Sequence, residues 1–186
     1  TFSWNDPVSD GDDYYYYARA VNQAGASRPS YARDSLSGGL YFLAPDNESL
    51  LEVPAGGTSV FYSDSGDPMK TYSVEITTHP EDLGGRVVKS VQFQAYRGGI
   101  QPDDSFKLPT KGVLKLYYSK TGNTITPSAD ADAKAVSMYF YNGSRWLQMY
   151  GSVDGAARSV QLETTLLGRY QLRTTERSGG FSADSS

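Results

Sequence analysis

The sequence of 186 residues contains no cysteine and a single histidine. The missing cysteine excludes disulfides, thiolate nucleophiles and zinc sites built on cysteine. The lone His79 is followed by Pro80, and one histidine cannot form a metal cage of paired histidines. No G-x-S-x-G elbow accompanies it, which argues against Ser-His-Asp catalysis. We therefore expect no enzymatic activity from this chain.

An excess of positive charge and a long apolar run are also missing. The net charge of −4 and the isoelectric point near 5.0 disfavour a nucleic-acid partner, which would need a basic surface. No apolar run approaches the roughly 20 residues of a membrane span. No basic-then-apolar leader opens the chain, so a secreted protein would carry its signal before Thr1.

The chain is instead rich in tyrosine, glycine and proline, with 15, 19 and 9 residues, a composition typical of strands joined by many turns. Apolar and polar side chains alternate in several stretches, which predicts strands that bury one face. The predicted buried positions are Val74, Ile76, Val91, Phe93, Ala95, Val136, Met138, Phe140, Val160, Leu162, Tyr170 and Leu172. Short strands parted by polar loops predict an all-β fold, an antiparallel β-sandwich.

One hairpin is predicted from the sequence in detail. The segments Met138–Tyr141 and Trp146–Tyr150 flank Asn142 and Gly143. An Asn-Gly pair tolerates the two positive φ angles of a type I′ turn. We therefore expect this turn between the two strands.

Four consecutive tyrosines near the start raise the question of what buries them. Strand alternation puts Tyr14, Tyr16, Ala18 and Ala20 on one face. With the following "VNQAGAS", this pattern resembles the F strand, turn and G strand of a fibronectin type III domain. The resemblance covers residues 1–36 and implies an incomplete Ig-like hairpin ahead of the main domain.

A complete fibronectin type III sandwich has seven strands in ~100 residues, and residues 1–36 supply about a third of it. Three explanations stay open. The chain is a fragment of a longer protein, the hairpin packs on the next domain, or a neighbouring subunit completes the sandwich. We favour a fragment of a larger multidomain protein, whose other domains or neighbouring subunits are the expected partners of the tyrosine face.

Residues 37–175 resemble a ZU5-like β-sandwich of the kind appended to surface proteins. The stretches that carry the resemblance are "YSVEITTHPED", "DDSFKLPTKGVLKLYYS" and the region from Ala135 to Leu172. Some of its hairpins resemble those of bacterial secreted proteins. Some ZU5 and related domains cut themselves at a His-Phe-Ser or His-Leu-Ser/Thr step. Here proline follows the only histidine, so self-cleavage by that chemistry is not expected. Residues 176–186, rich in Ser and Gly, predict a flexible linker.

Two ligand sites are conceivable. Asp10, Asp12 and Asp13 cluster beside Gly11 and offer the hard oxygens that calcium prefers; the alternative is that they are ordinary turn residues. Trp146, Tyr139, Tyr141 and Tyr150 would form a flat platform for sugar rings. The alternative is that these rings only pair across strands. Apart from calcium, no cofactor is expected.

Three functions follow from these observations. The first is a non-catalytic structural or adhesion module of a secreted or cell-surface protein, a bacterial one by the resemblance, that acts in spacing, display or assembly. The second is a carbohydrate-binding module that holds a polysaccharide on its aromatic platform. The third is a subunit of an extracellular filament assembled by strand complementation.

Overall fold

The computed structural model describes residues 21–22, 25–26, 32–33, 38–62, 70–121, 124–126 and 136–174, with the backbone alone for the strands before residue 34 and for 119–126. This part of the chain folds mainly into antiparallel strands, which form two sheets packed face to face. The predicted β-sandwich is therefore confirmed. No helix among the described residues is long and apolar enough to cross a membrane.

The strands of the first sheet are β6 (Tyr72–Thr78), β7 (Val87–Arg97), β8 (Gln101–Pro102), β12 (Val136–Tyr141), β13 (Trp146–Met149) and β16 (Gly168–Thr174). Their order is β13-β12-β16-β7-β6, with the short β8 paired to the end of β7. Each of these neighbouring pairs is antiparallel.

The strands of the second sheet are β3 (Ala32–Arg33), β4 (Leu40–Leu43), β5 (Ser49–Val53), β9 (Lys107–Tyr117), β14 (Ser152–Asp154) and β15 (Ser159–Leu166). Their order in the sheet is β14-β15-β9-β5-β4-β3. Ala32 pairs with Tyr41 and Arg33 with Leu40. This pairing extends the second sheet across the predicted domain boundary between residues 36 and 37.

Four short strands form two separate ribbons. They are β1 (Val21–Asn22) with β2 (Gly25–Ala26), and β10 (Ser119–Thr121) with β11 (Thr124–Thr126). The first ribbon lies within the stretch that resembles fibronectin type III. Within the part of the chain that the structure describes, the 3-10 helices Ala55–Phe61 and Pro80–Asp82 connect strands. The tyrosine face (Tyr14, Tyr16, Ala18, Ala20) and the tail 176–186 lie outside the described residues.

The inner faces of both sheets supply one hydrophobic core. All the inner-face positions predicted from alternation are buried there except Phe140, which is partly buried against the core. Their polar neighbours, such as Gln92, Gln94 and Glu163, face outward and stay at least partly exposed. Gln171 departs from this rule, because it lies on the outer face and is nevertheless 5% exposed.

The chain crosses from the second sheet to the first between β15 and β16, with Leu167 as the only intervening residue. Tyr170, fully buried, donates its hydroxyl to the Leu166 carbonyl at 2.7 Å. A tyrosine that bonds to backbone a few residues upstream fixes such corners in Ig-like sandwiches. Gly168 has φ +140°, and a Cβ there would lie 3.0 Å from the Phe140 ring.

The predicted hairpin is confirmed, but its predicted turn is wrong. β12 pairs with β13 from Met138–Met149 to Tyr141–Trp146, which leaves a loop of residues 142–145. Gly143 has positive φ, whereas Asn142 does not, so a type I′ turn is excluded. The Asn142 Oδ1 atom accepts hydrogen bonds from the backbone nitrogens of Ser144 (3.1 Å) and Arg145 (2.9 Å). This side-chain cap stabilises the longer loop instead.

A buried lysine ties the two sheets together. Lys89 of β7 is 8% exposed and forms ion pairs with Asp46, at 3.1 Å, and Glu48. Both carboxylates lie between β4 and β5 of the second sheet. Because a charge seldom stays buried without a partner, the pairing of Lys89 with two carboxylates is what makes its burial tolerable.

Candidate functional site

The outer face of the first sheet carries a row of polar and aromatic side chains that crosses four adjacent strands. Gln92 of β7 pairs with Arg169 of β16, and Tyr141 of β12 pairs with Trp146 of β13. Because Phe140 pairs with Tyr170, Tyr141 lies beside Arg169. This row is the framework of the candidate site.

One carboxylate organises the polar side chains at the centre of this face. Asp82 Oδ2 accepts hydrogen bonds from Ser90 Oγ at 2.5 Å, Arg169 Nη2 at 2.5 Å and Gln171 Nε2 at 3.2 Å. Gln171 Oε1 in turn accepts two bonds from the Arg173 guanidinium, at 2.9 and 2.7 Å. The Pro80–Asp82 helix thus covers Ser90 and Gln171, which explains why these outward side chains are buried.

The network holds Asp82 in its charged form. Hydrogen bonds from Ser90, and then from Arg169 together with its positive charge, lower the pKa of the Asp82 carboxyl, although burial opposes them. An ionised carboxylate cannot donate a proton to a leaving group. Asp82 is therefore suited to positioning Arg169 and Gln171 rather than to acid catalysis.

The aromatic side chains beside the network form a stack closed by an arginine. The Arg173 guanidinium carbon lies 4.9 Å from the Tyr139 ring centre and 4.6 Å from that of Trp146, a cation–π geometry. The Tyr141 and Trp146 rings lie 5.2 Å apart with an angle of 46° between their planes. We call Tyr139, Tyr141, Trp146 and Arg173 the ring stack.

This geometry differs from a flat platform. Tyr139, Tyr141 and Trp146 lie on one face, but the planes of Tyr141 and Trp146 are tilted by 46°, and the Arg173 guanidinium lies over the Tyr139 and Trp146 rings. Tyr150 follows the end of β13 and is 98% exposed. In the described part of the chain, no ring contact joins Tyr150 to the stack.

A cavity opens beside the stack, where the central strand of the sheet begins. β16 starts at Gly168, paired with Phe93, whereas β7 on one side continues through Gln94 and Ala95. On the other side lies the β12–β13 loop. The gap is a cavity of about 560 Å³, which we call the notch; its size lies within the range of small-ligand sites.

The notch combines an apolar floor with a polar rim. Phe106, Phe140 and Leu167, partly buried against the core, line its base. Along one wall, Gln92 Nε2 donates to Gln94 Oε1 at 3.2 Å, and Gln94 Nε2 donates to Asp104 Oδ1 at 3.0 Å. Such convergence of a few polar groups over apolar surface is typical of binding pockets.

The loop that carries Asp104 is anchored. Asp103 Oδ2 accepts a bond from the Tyr72 hydroxyl at 3.0 Å, and its Oδ1 accepts two from Ser105. These bonds, from Ser105 first and Tyr72 next, lower the pKa of Asp103. The Phe106 ring lies 4.2 Å from that of Tyr72. The wall of the notch is thus positioned before any ligand arrives.

A second, smaller cavity of about 340 Å³ adjoins the notch and is lined by Asp82, Tyr141, Trp146, Arg169 and Gln171. Arg169 and Tyr141 line both cavities. The two cavities therefore adjoin along the outer face, with Arg169 and Tyr141 between them, and we call them together the cleft.

The remaining predicted sites lie apart from this cleft. Asp10, Asp12 and Asp13, the calcium candidates, lie outside the described residues. Within the described part of the chain, no group of three or more His, Asp or Glu side chains is placed to hold a metal. His79 Nδ1 pairs with Glu81 Oε1 at 2.7 Å, in the loop that ends at Asp82.

Neither the network nor the notch was predicted from the sequence. Asp82 and Arg169 are 87 positions apart, and alternation describes one strand at a time. The available signal was the run of charged and amide side chains at alternate positions of β16, Arg169, Gln171 and Arg173, which is unusual on a face next to buried strands. Compared with protein families, curated proteins and solved structures, the chain shows no significant match.

Proposed function

We propose that this chain is a non-catalytic module of a larger secreted or cell-surface protein, with a structural and adhesive role. One observation carries the proposal: the cleft on the outer face of the first sheet, whose rings and hydrogen-bonding side chains are held in place by contacts with one another. A preorganised surface of this kind loses little entropy when it binds.

The state of the carboxylates supports a binding role over a catalytic one. Glycoside hydrolysis needs an acid whose pKa is raised so that it stays protonated. In the cleft the opposite holds, since hydrogen bonds lower the pKa of Asp82 and of Asp103. Both carboxylates also accept hydrogen bonds within the protein, Asp82 through Oδ2 and Asp103 through both of its oxygens.

The setting within a larger protein is supported by the two sequence resemblances. Residues 1–36 resemble the end of a fibronectin type III domain and residues 37–175 a ZU5-like sandwich, and both kinds of domain occur as modules of multidomain surface proteins. Assembly into a filament through the tyrosine face depends on residues outside the described part of the chain.

A polysaccharide is the second part of the proposal, because the cleft offers rings and amides together. Aromatic side chains contact the C–H faces of sugars, while amides and carboxylates bond to their hydroxyls. Trp146 and Tyr141 line one half of the cleft and Gln92 and Gln94 the other.

The experiment is sedimentation of the 186-residue chain with insoluble cellulose, chitin and bacterial cell walls, with analysis of the supernatant for released sugars. We expect saturable retention on one of these surfaces and no product. Tyr141→Ala should reduce retention, whereas Tyr117→Ala, on the outer face of the second sheet, should not. Product release by the purified chain would contradict the proposal.

A further inference from the structure

We propose that the notch is a binding site for one uncharged sugar ring at the end of a neutral glycan. This inference rests on the proposed adhesive function and deepens it, because it names the class of ligand. It also places the main contact between sugar and protein in the notch, and not on the ring stack.

The position of the notch favours a ring-sized ligand that enters from its end. It lies where β16 begins, between β7, which continues past that point, and the β12–β13 loop, so it has a wall on each side. The ring stack next to it is a tilted surface, already covered on part of its rings by Arg173. A terminal ring fits the enclosed part, and the following units extend over the second cavity toward Trp146.

The floor of the notch suits the apolar face of a sugar. The Phe140 ring packs 5.0 Å from that of Tyr170, and the Phe106 ring packs 4.2 Å from that of Tyr72. Both rings are thus fixed while part of each stays exposed. A ligand with C–H groups on one face and hydroxyls at its edge matches this floor and rim.

The charges of the rim favour a neutral ligand over an acidic one. The charged residues that line the notch are Asp103, Asp104 and Arg169. The positive charge of Arg169 is already paired with Asp82 at 2.5 Å. A uronic acid or sulfated sugar would meet a net negative rim, whereas a hydroxyl can donate to Asp104 and accept from an amide.

The notch offers both hydrogen-bond donors and hydrogen-bond acceptors, and a sugar hydroxyl can use both. Asp104 supplies carboxylate acceptors, and Gln94 Nε2 is held against it. On the opposite side, Asn142 uses Oδ1 in its own turn, and its Nδ2 atom takes no part in these bonds. The hydroxyls of a sugar ring in the notch would thus have the Asp104 carboxylate as acceptor on one side and Asn142 Nδ2 as donor on the other.

An extended peptide added to β7 fits the notch less well. Strand addition needs free backbone groups on the edge of the sheet. The Ala95 carbonyl, which faces the notch, already accepts bonds from Asp103 N at 3.0 Å and Gln94 Nε2 at 3.1 Å. The backbone edge is therefore occupied at the point where a peptide would bind.

The test is titration of the ¹⁵N-labelled 186-residue chain with cellotetraose, xylotetraose, mannotetraose and tetragalacturonate, followed by NMR and calorimetry. We expect one or more of the neutral tetrasaccharides to bind and to shift the side-chain amide signals of Gln92, Gln94 and Asn142. Loss of one hydrogen bond in Gln94→Ala should raise Kd roughly fivefold. Gln148→Ala, an amide on the same face outside the notch, should leave Kd unchanged.

Gln92→Trp, which fills the notch from an outward strand position, should abolish binding while the thermal midpoint shows that the variant is folded. Binding of tetragalacturonate alone, or shifts confined to Trp146 and Tyr141, would overturn the inference and leave the adhesive function in place. Absence of binding to all four sugars, with retention on cell walls intact, would overturn it as well. Loss of retention on every surface would instead count against the proposed function.

Discussion

At the scale of single residues, a few side chains decide both the stability of the corner between the sheets and the shape of the cleft. Tyr170 joins the two, because its ring packs 5.0 Å from Phe140 under the notch and its hydroxyl bonds to the Leu166 carbonyl. On the outer face, Asp82 fixes the positions of Arg169 and Gln171 by accepting a hydrogen bond from each. Neither role could be predicted from sequence, since each depends on a contact between elements.

Tyr170→Phe should destabilise the fold by about 1–3 kcal/mol, because the partly buried Leu166 carbonyl loses its donor while the ring stays in place. Urea denaturation checks this value. Tyr150→Phe, at a position that is 98% exposed, is the matched control and should change the free energy of unfolding by less than about 0.5 kcal/mol. Equal stability of Tyr170→Phe and the parent chain would contradict the role of the hydroxyl.

The pKa of Tyr170 also leads to a prediction of how the free energy of unfolding changes at high pH. Burial raises the pKa of this phenol above its ordinary value, so the folded chain keeps the proton that the unfolded chain releases above pH about 10. The stabilisation is complete below that pH and is lost as the pH rises further. Unfolding free energies from pH 9 to 11 should therefore fall less steeply for Tyr170→Phe than for the parent chain, and Tyr150→Phe should match the parent.

Asp82 predicts the opposite dependence in acid. Hydrogen bonds from Ser90 and Arg169 lower its pKa in the folded state, so its stabilisation is complete above the unfolded pKa of about 3.9 and is lost as the pH falls through the folded value. Asp82→Asn should lower stability at pH 7 and flatten the profile below pH about 4. An acid profile of Asp82→Asn that matches the parent chain would contradict this role of Asp82.

At the scale of elements, the alternation of apolar and polar residues predicted the strands and their buried faces. It could do so because successive side chains of a strand point to opposite faces of the sheet, whatever the neighbouring strands are. Val74 and Ile76, and Val160 and Leu162, are buried as predicted. The prediction of a type I′ turn at Asn142–Gly143 was wrong. Pairing along the whole hairpin sets the register in which Tyr141 pairs with Trp146, and this register leaves a four-residue loop. Local turn preference was the weaker effect.

Close approach between strands gives a prediction for β9. A Cβ on Gly112 would lie 2.7 Å from the Glu52 carbonyl oxygen and 2.9 Å from Leu108, so Gly112→Ala must push β9 and β5 apart. We expect a loss of about 1–3 kcal/mol, as for other overpacked positions. Gly155→Ala, with no atom within 4 Å, is the control and should be neutral or slightly stabilising. Thermal unfolding of the two variants separates these outcomes.

At the scale of the whole molecule, the two sheets share one core and present unequal outer faces. The first sheet carries the network, the ring stack and the notch. The sandwich could be predicted from sequence because it follows from alternation summed over many strands. The cleft could not, because it depends on where β16 begins relative to β7 and on the Pro80–Asp82 helix that covers Ser90.

The central claim is that the outer face of the first sheet is the binding surface. Hydrogen exchange of the 186-residue chain, measured by mass spectrometry with and without a saturating neutral tetrasaccharide, tests it directly. We expect slower exchange in β7 and in the β12–β13 loop, with the second sheet unchanged. Slower exchange confined to β9, β14 and β15, or no difference anywhere, would contradict the claim.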